Sequence, residues 1–544
     1  MATRSEAPST SAARRWDPVL LVLGGLWLAW MTLPYGLAWW WGRRQGLVFA
    51  GFLYNPFDNF TYLAKMRQGY QGAWVYRLAF TAQPGPGAPI FLYYLALGHL
   101  ARLLHASLLT VYHAARLLNG GLLFAALLHA VRTWFPQRPW AQRFGLGLAL
   151  FGSGMGWTFF AWLPQHPPPD MGIPEAFPYL AALTSPHFPL ALALLVALIA
   201  WPWSRAVTTR TRLAWVLMAG LLSVIYPFGV VVALAALALG GLPLWWWNRL
   251  SRRLGPKPTP RVWPRPWERA AWVALGGLPY PLYALWAIRQ DPTLVVWNAQ
   301  NVTPSNPWWQ MLLAVSPALP VALYWAWEQW GRGLLPAGWQ APTWAWAVNS
   351  VVLSQIPLSL QRRFFVGAYP PAALTATSTL ARLPKARRRK WALGVLALSL
   401  PSTLLFAVGF LMLIFQGSPV LYLTPAEEAA FAWIREHTPP EALFLSSPDT
   451  GARLVAFTGR RVFVGHPLET AHATDETDFV RALLCQQGDP EAKVRDLAAR
   501  GAAYVFVGPR EREFCQGEVY LPADAREVFR QDDLVIYALP GPNE

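Results

Sequence analysis

Apolar runs of about 18 residues or more recur along most of the chain, separated by short stretches rich in Arg, Pro and Gly, and that repetition predicts membrane-spanning helices. The first run, Pro18 to Trp41, follows Arg14 and Arg15 and has no small-residue cleavage site after it, so it reads as an uncleaved signal anchor with its N-terminus inside. Further spans are expected near Leu109–Val131, Phe144–Leu163, His187–Trp203, Leu213–Trp247, Ala270–Ile288, Trp308–Trp327, Pro342–Leu360, Phe364–Leu380 and Trp391–Phe415. Leu213–Trp247 is long enough for two short spans broken at Pro227. Pro89–His105 is shorter and carries His99, Arg102 and His105, which suits a helix lying at the outer interface.

After Pro425 the pattern changes. Helical AEEAAFAWIREHTPP is followed by strand-like ALFLSS and RRVFVG, helical DETDFVRALLCQQ and PEAKVRDLAARG, then strand-like AYVFVG, REVFRQ and LVIYAL. This order predicts a small mixed sheet flanked by helices. The expected architecture is a polytopic α-helical membrane protein of about eleven spans with a C-terminal extracytoplasmic α/β domain. Its parts would be a cytoplasmic tail (1–17), a membrane region (18–424) with a long first outer loop (42–108), and the α/β domain (425–544).

Charge fixes the orientation of this scheme. The 544 residues include only 13% charged against 54% hydrophobic ones, which excludes a soluble globular protein. The net charge of +17 would suggest nucleic acid if it were evenly spread. Up to Thr424, however, 33 Lys and Arg face 8 Asp and Glu, whereas the remainder has 12 against 20. The basicity therefore reports topology, and no nucleic-acid partner is expected. Reading Pro89–His105 as interfacial puts Arg132/Arg138/Arg143, Arg205/Arg210/Arg212, the Pro-rich segment Arg249–Arg269, and Arg382 with KARRRK at Lys385–Lys390 all inside. The N-terminus is then cytoplasmic, the C-terminus outside, and the location a plasma or inner membrane. Asp58, Asp170, Glu175 and Asp291 fall in outer loops, while Glu6, Asp17, Glu268 and Glu328 lie inside. No carboxylate remains at membrane depth, which argues against an ion-coupled pump.

Candidate chemistry lies in the outer loops. The first contains NPFDNFTYLAKMRQGYQGAWVYRLAF, where Asp58 stands among Tyr62, Lys65, Arg67 and Arg77. On a helix starting near Asp58, Tyr62 at i+4 and Lys65 at i+7 share its face; a helix N-cap at Asp58 is the plainer alternative. The second loop places Asp170, Glu175 and His187 near the surface, where they could bind substrate or a divalent cation, or serve as a cap, a surface charge and an interfacial His. A third segment, QDPTLVVWNAQNVTPSNPWW, has a composition suited to sugar or head-group contact. Arg362 and Arg363 lie outside against the positive-inside trend, as a lipid phosphate would require; snorkelling to ordinary head groups is the alternative. Arg116 and Asn119, within the second span, need polar partners. In the C-terminal part, His466, Glu469, His472 and Asp475 resemble a metal set, but their spacing matches no ligand pattern and a solvated loop is the expected reading. Cys485 and Cys515 share that part, and an oxidising compartment would let them pair; two free buried thiols are the alternative.

An inside N-terminus, one span, a long first outer loop with an early Asp in NPFDNFTYLAKMRQG, an interfacial helix and a span opening with VYHAARLLNG together resemble the GT-C superfamily, in particular the protein O-mannosyltransferase and aminoarabinose transferase group. The resemblance implies an inverting glycosyltransferase of the hexosyltransferase type. It would move a sugar from a polyprenyl-phosphate lipid donor to a hydroxyl acceptor on protein, lipid or glycan. Asp58 would take the place of the acceptor-activating acid, although Asn59 follows it where the family often shows a second acidic residue. Arg362, Arg363, Lys65 and Arg77 would hold the donor phosphate. No soluble nucleotide is implied, in keeping with the lack of a P-loop or GxGxxG motif, and a divalent cation is left open. Two other classes compete: a transporter or flippase of a lipid-linked substrate, which would predict internal repeats, and a non-catalytic scaffold in which Asp58 is dispensable.

Overall fold

The computed structural model describes residues 17–162, 167–202, 207–253, 266–331, 340–486, 489–521 and 524–540. Glu6, Arg14, Arg15, Leu163, Trp203, Arg205 and residues 254–265 of the Pro-rich segment lie outside the described residues, as do the side chains of Arg249 and Glu328.

Helix α1 (Pro18–Arg44) starts where the Asp17 carboxylate accepts from the Val19 N–H, and Pro18 occupies a position whose N–H would have no partner. Its buried residues Leu20, Trp27, Met31 and Ala38 form a narrow stripe, whereas Leu21, Val22, Leu26 and Leu28 are each more than half exposed. An apolar side left uncovered by protein needs lipid. Four helical stretches among the described residues are long and apolar enough to cross a membrane: Pro18–Arg44, Leu108–Trp134, Pro266–Ile288 and Lys385–Phe415. His187–Ala200 and Pro227–Leu242 are shorter apolar helices. The chain is a helical membrane protein. Proline punctuates several of its predicted runs: 213–247 divides into Thr209–Ile225 and Pro227–Arg253, and 308–327 divides into Trp308–Ala314 and Ala318–Gly331 around Pro317.

Between the first two long helices run β1 (Val48–Phe49), α2 (Pro56–Tyr70) and α3 (Leu92–Leu103). Helices α2 and α3 touch backbone to backbone at glycines. A Cβ at Gly98 would stand 1.9 Å from the Met66 carbonyl oxygen, and one at Gly69 would stand 2.1 Å from that of Leu95. Helix α4 (Leu108–Trp134) follows, capped by Ser107.

The C-terminal part begins at β2 (Tyr422–Leu423), which pairs antiparallel with β1 and so returns the chain to the start of α2. Strands β3 (Leu443–Leu445), β4 (Arg461–Val462), β5 (Tyr504–Val507), β6 (Arg526–Gln531) and β7 (Leu534–Ala538) form a sheet in the order β4-β3-β5-β7-β6. The first three are mutually parallel and the last two antiparallel. Helix Pro425–His437 opens with a capping box between Thr424 and Glu427. This sheet shares its core with the first loop: Phe60, Leu63 and Met66 of α2 pack with Phe431, Ile434, Leu454, Val455 and Phe506 in one buried cluster. Arg67 donates to the carbonyls of Ala456 and Phe457, which fastens α2 to the end of helix Pro448–Thr458. Cys485 and Cys515 are joined as a disulfide.

Candidate functional site

The site is built on the first two turns of α2. The residue in the N-cap position is Asn55, in the left-handed region at φ 44°, and Pro56 begins the helix. Asp58 is therefore not the cap; it sits within the first turn, where the helix dipole favours a negative charge. Its Oδ2 accepts from the Asn55 amide and its Oδ1 from His466 Nε2 at 2.9 Å. The side chain remains 45% exposed, so the carboxylate is held on one side and open on the other. Burial works against its charge, but His466, with the charges of Arg363 and Lys65 behind it, outweighs that and holds the carboxyl below the ordinary range.

Asn59 explains why an amide follows this acid. Its Nδ2 donates to the carbonyls of Tyr54 and Asn55, and its Oδ1 accepts from Tyr112 and Ser185. A carboxylate there would lose both donor bonds and leave the Tyr54 carbonyl without that partner, while the Asn55 carbonyl would keep only the Asn59 backbone N–H. Tyr62 shares the face of Asp58, stacks on Tyr94 at 4.5 Å and meets the His187 ring edge-on at 5.1 Å.

Lys65 completes that face but is closed off. It is fully buried, its ammonium pairs with Glu469 at 2.9 Å, and the rings of Tyr62, Tyr76 and Phe91 surround it at 4.3–5.4 Å. Burial pulls its pKa down against the opposing pull of Glu469. Glu469 also accepts from the Tyr76 hydroxyl at 2.8 Å. Both of these new partners, His466 and Glu469, come from the loop after β4. That loop was expected to be solvated, and in fact these two side chains are buried against α2, while His472 and Asp475 are exposed. Sequence spacing could not bring them to Asp58. The available signal was their place at the carboxyl end of a parallel strand, where such sheets present functional loops.

The remaining candidates divide. Glu175 accepts from the Tyr226 hydroxyl at 3.1 Å, and that hydroxyl also lies 3.4 Å from the Arg363 carbonyl oxygen. His187 Nδ1 is bonded to Tyr94 Oη at 2.6 Å. Arg116 donates to the Ala182 carbonyl and Asn119 to that of Pro186, so these polar groups of α4 hold the chain that delivers His187. Asp170 is drawn elsewhere: it is fully buried, accepts from the Gly156 N–H and has one oxygen without a partner. Asp170, Glu175 and His187 are thus held in separate contacts, and among the described residues no three His, Cys, Asp or Glu are placed to hold a metal ion. Arg77 stands apart as well, exposed and turned to the Pro86 carbonyl.

Arg362 and Arg363 occupy a short 3-10 turn, Gln361–Phe365. The Arg362 Nε is buried without a partner, and neither guanidinium makes a hydrogen bond or ion pair with any described residue. Arg363 lies over the Phe228 ring at 5.9 Å. Although burial opposes its charge, the surrounding Tyr226, Glu175, Tyr62 and Asp58 raise its pKa further, so it stays a cation. An open carboxylate within reach of the Arg363 charge can accept a proton, and two guanidiniums without hydrogen-bond or ion-pair partners among the described residues can bind an anion.

Comparison with known proteins gives the frame for this geometry. No family model and no curated protein matches the chain. Among solved structures, the apo oligosaccharyltransferase of Archaeoglobus fulgidus aligns with TM-score 0.52 and 13% identity over 90% of this chain and 69% of its own. Apo ArnT from Cupriavidus metallidurans aligns with TM-score 0.51 and 13% identity over 95% and 97%. The chain has the GT-C fold. A third GT-C structure, the mycobacterial arabinofuranosyltransferase AftD, aligns with TM-score 0.52 and 14% identity over 98% of this chain but only 42% of its own length.

Proposed function

We propose that this protein is a membrane glycosyltransferase that moves a sugar from a polyprenyl-phosphate donor to a hydroxyl acceptor. The observation that carries the reading is a half-open carboxylate, Asp58, in the same region as two guanidiniums, Arg362 and Arg363, that make no hydrogen bond or ion pair with any described residue. The archaeal oligosaccharyltransferase, which shares the fold, has been solved with a dolichol-phosphate and an inhibitory peptide bound, which supports a lipid-phosphate donor here.

In the proposed reaction the acceptor oxygen attacks the anomeric carbon as the bond from that carbon to the phosphate oxygen breaks. One displacement inverts the configuration. The acceptor proton passes to Asp58 late, because a carboxyl held below its ordinary range is a weak base until the attacked hydroxyl acidifies. The charge that develops on the departing polyprenyl phosphate is taken up by Arg362 and Arg363, whose planar donors match phosphate oxygens. Lys65, already paired with Glu469, shapes the helix instead of binding phosphate. The topology that suits this reading has about eleven spans, with the N-terminus cytoplasmic and the α/β domain, including its disulfide, in the oxidising space outside.

A turnover assay on purified protein with several polyprenyl-phosphate sugars, run with and without a chelator, tests the reading. Transfer to a hydroxyl acceptor is expected. Loss of signal with every donor would reject the function, and the chelator arm reads metal dependence directly.

A further inference from the structure

The loop from Gly465 to His472 is laid onto α2 with opposite charges in register. On the helix, an acid (Asp58) precedes a base (Lys65); on the loop, a base (His466) precedes an acid (Glu469). Each finds its complement at 2.9 Å. The loop can come this close because Gly465 has no side chain: a Cβ there would stand 2.5 Å from the Phe80 ring. The Gly465 N–H donates to Thr470 Oγ1, which closes the loop on itself, and Gln300 joins it through the Thr470 carbonyl and the His472 N–H.

One hydrogen bond within this loop decides what His466 can do. The Leu468 N–H donates to His466 Nδ1 at 3.1 Å, so Nδ1 is an acceptor and the ring proton of the neutral imidazole is on Nε2. That proton points at Asp58 Oδ1. With Nδ1 occupied by the backbone and Nε2 protonated, the ring has no free lone pair and cannot take a proton from substrate. It acts through Asp58.

We propose that His466 is a positioning residue for the transfer reaction: the C-terminal part supplies it to fix the carboxylate of Asp58 in its charged form, with its free lone pairs on the open side. This inference rests on the glycosyltransferase reading. The ionisable groups around Asp58 are Lys65 and Tyr62 on its own helix, Tyr54 before it, His466 and Glu469 from the loop, Arg362 and Arg363 from the 3-10 turn, and Glu175 and His187 from the segment before and at the start of helix His187–Leu195. Of these, His466 is the one bonded directly to the carboxylate. Without it, Asp58 keeps only the Asn55 amide and the more distant cations. Its titration should then move to higher pH, and the acid limb of kcat/KM with it.

The experiment uses full-length protein carrying carbon-13 at aspartate Cγ, with the Asp58 signal assigned by its loss in Asp58→Asn. In His466→Ala the Asp58 midpoint should rise by about one pH unit and the acid limb of kcat/KM should rise equally, with kcat lowered about tenfold. His466→Gln, whose amide can donate to Oδ1, should restore most of both. Glu469→Gln weakens the neighbouring pair and should lower the melting temperature without moving the Asp58 midpoint. An unmoved midpoint in both His466 variants overturns the proposal, as does an acid limb that ignores the substitution. If His466→Ala does not fold, His466→Leu, which fills the space and cannot donate, decides: a raised Asp58 midpoint with a raised acid limb supports the proposal, and an unmoved midpoint overturns it. Because the midpoint is read without turnover, a wild-type protein inactive with every donor would reject the transferase reading while a shifted midpoint still upheld the bond.

Discussion

Two ionic clusters join the C-terminal part to the rest of the chain, and they are built differently. In the first, Arg510 pairs with Glu427 at 2.7 Å and with Asp449, while Arg453 pairs with the same Asp449. Both arginines also donate to the Pro419 carbonyl, and Arg453 lies over Phe60 at 5.3 Å. Alongside, buried Glu511 accepts from the Ser447 N–H and hydroxyl and the Gly508 N–H; burial raises its pKa against those bonds. Nearly every charge in this cluster is spent on a protein partner. The second cluster, around Asp58, has the opposite character: its carboxylate is half open, and Arg362 and Arg363 make no hydrogen bond or ion pair through their guanidiniums with any described residue. If the second cluster binds a ligand as proposed above, its incompleteness is what leaves room for one, while the completeness of the first suits it to holding the fold.

That contrast can be broken by substitution, taken here in order of the expected effect on turnover. Asp58→Asn preserves volume and removes the base, so turnover should fall at least about a hundredfold with donor binding and melting temperature little changed. Wild-type rate in that variant would end the case for a catalytic carboxylate. Arg362→Ala and Arg363→Ala should each weaken donor binding about tenfold, the scale of one charged hydrogen bond, and titration with unsugared polyprenyl phosphate should show the same loss. Equal affinity for that lipid in wild type and double variant would remove the phosphate assignment.

The closed cluster should respond in the other currency. Arg510→Met leaves Glu427 and Asp449 without their shared cation and should cost roughly 3 kcal/mol in stability, yet turnover per folded molecule should stay within about twofold. Denaturant melts and rates on the same preparation would show it; a large fall in rate with unchanged stability would mean that this cluster, too, serves the reaction. The smallest effect on rate is expected from replacing both Cys485 and Cys515 with Ser. Losing a cross-link across 30 residues should lower stability by about 3 kcal/mol and leave kcat and KM unaltered.

Local features of this site could be read from sequence, and long-range ones could not. Asp58, Tyr62 and Lys65 fall on one helical face because their spacing is set by the helix repeat alone. Arg362 and Arg363 stood out because the charge pattern of the sequence puts them on the side that the positive-inside rule leaves poor in cations. Arg77 failed because proximity in sequence is not proximity in space: Tyr76 and Ala88 bridge to each other, Tyr76 turns inward to Glu469, and its neighbour is left facing outward. Lys65 was placed on the right face but given the wrong partner, since nothing local announces Glu469. His466 had no periodicity to report it. The helical runs were visible throughout, while their interruptions, such as the one at Pro317, depend on which helix packs beside each proline.

The short pairing of β1 with β2 ties Val48–Phe49 to Tyr422–Leu423, and its consequence is one of timing. Asp58 is made early and His466 is 408 positions later, so at roughly 5–20 residues per second the ribosome takes on the order of 20–80 s to supply the second after the first. During that interval the first loop lacks the sheet that shares its core. A chain truncated before β4 should therefore insert in the membrane without His466 beside Asp58, and, if Asp58 is the base proposed above, its turnover should fall at least as far as that of His466→Ala.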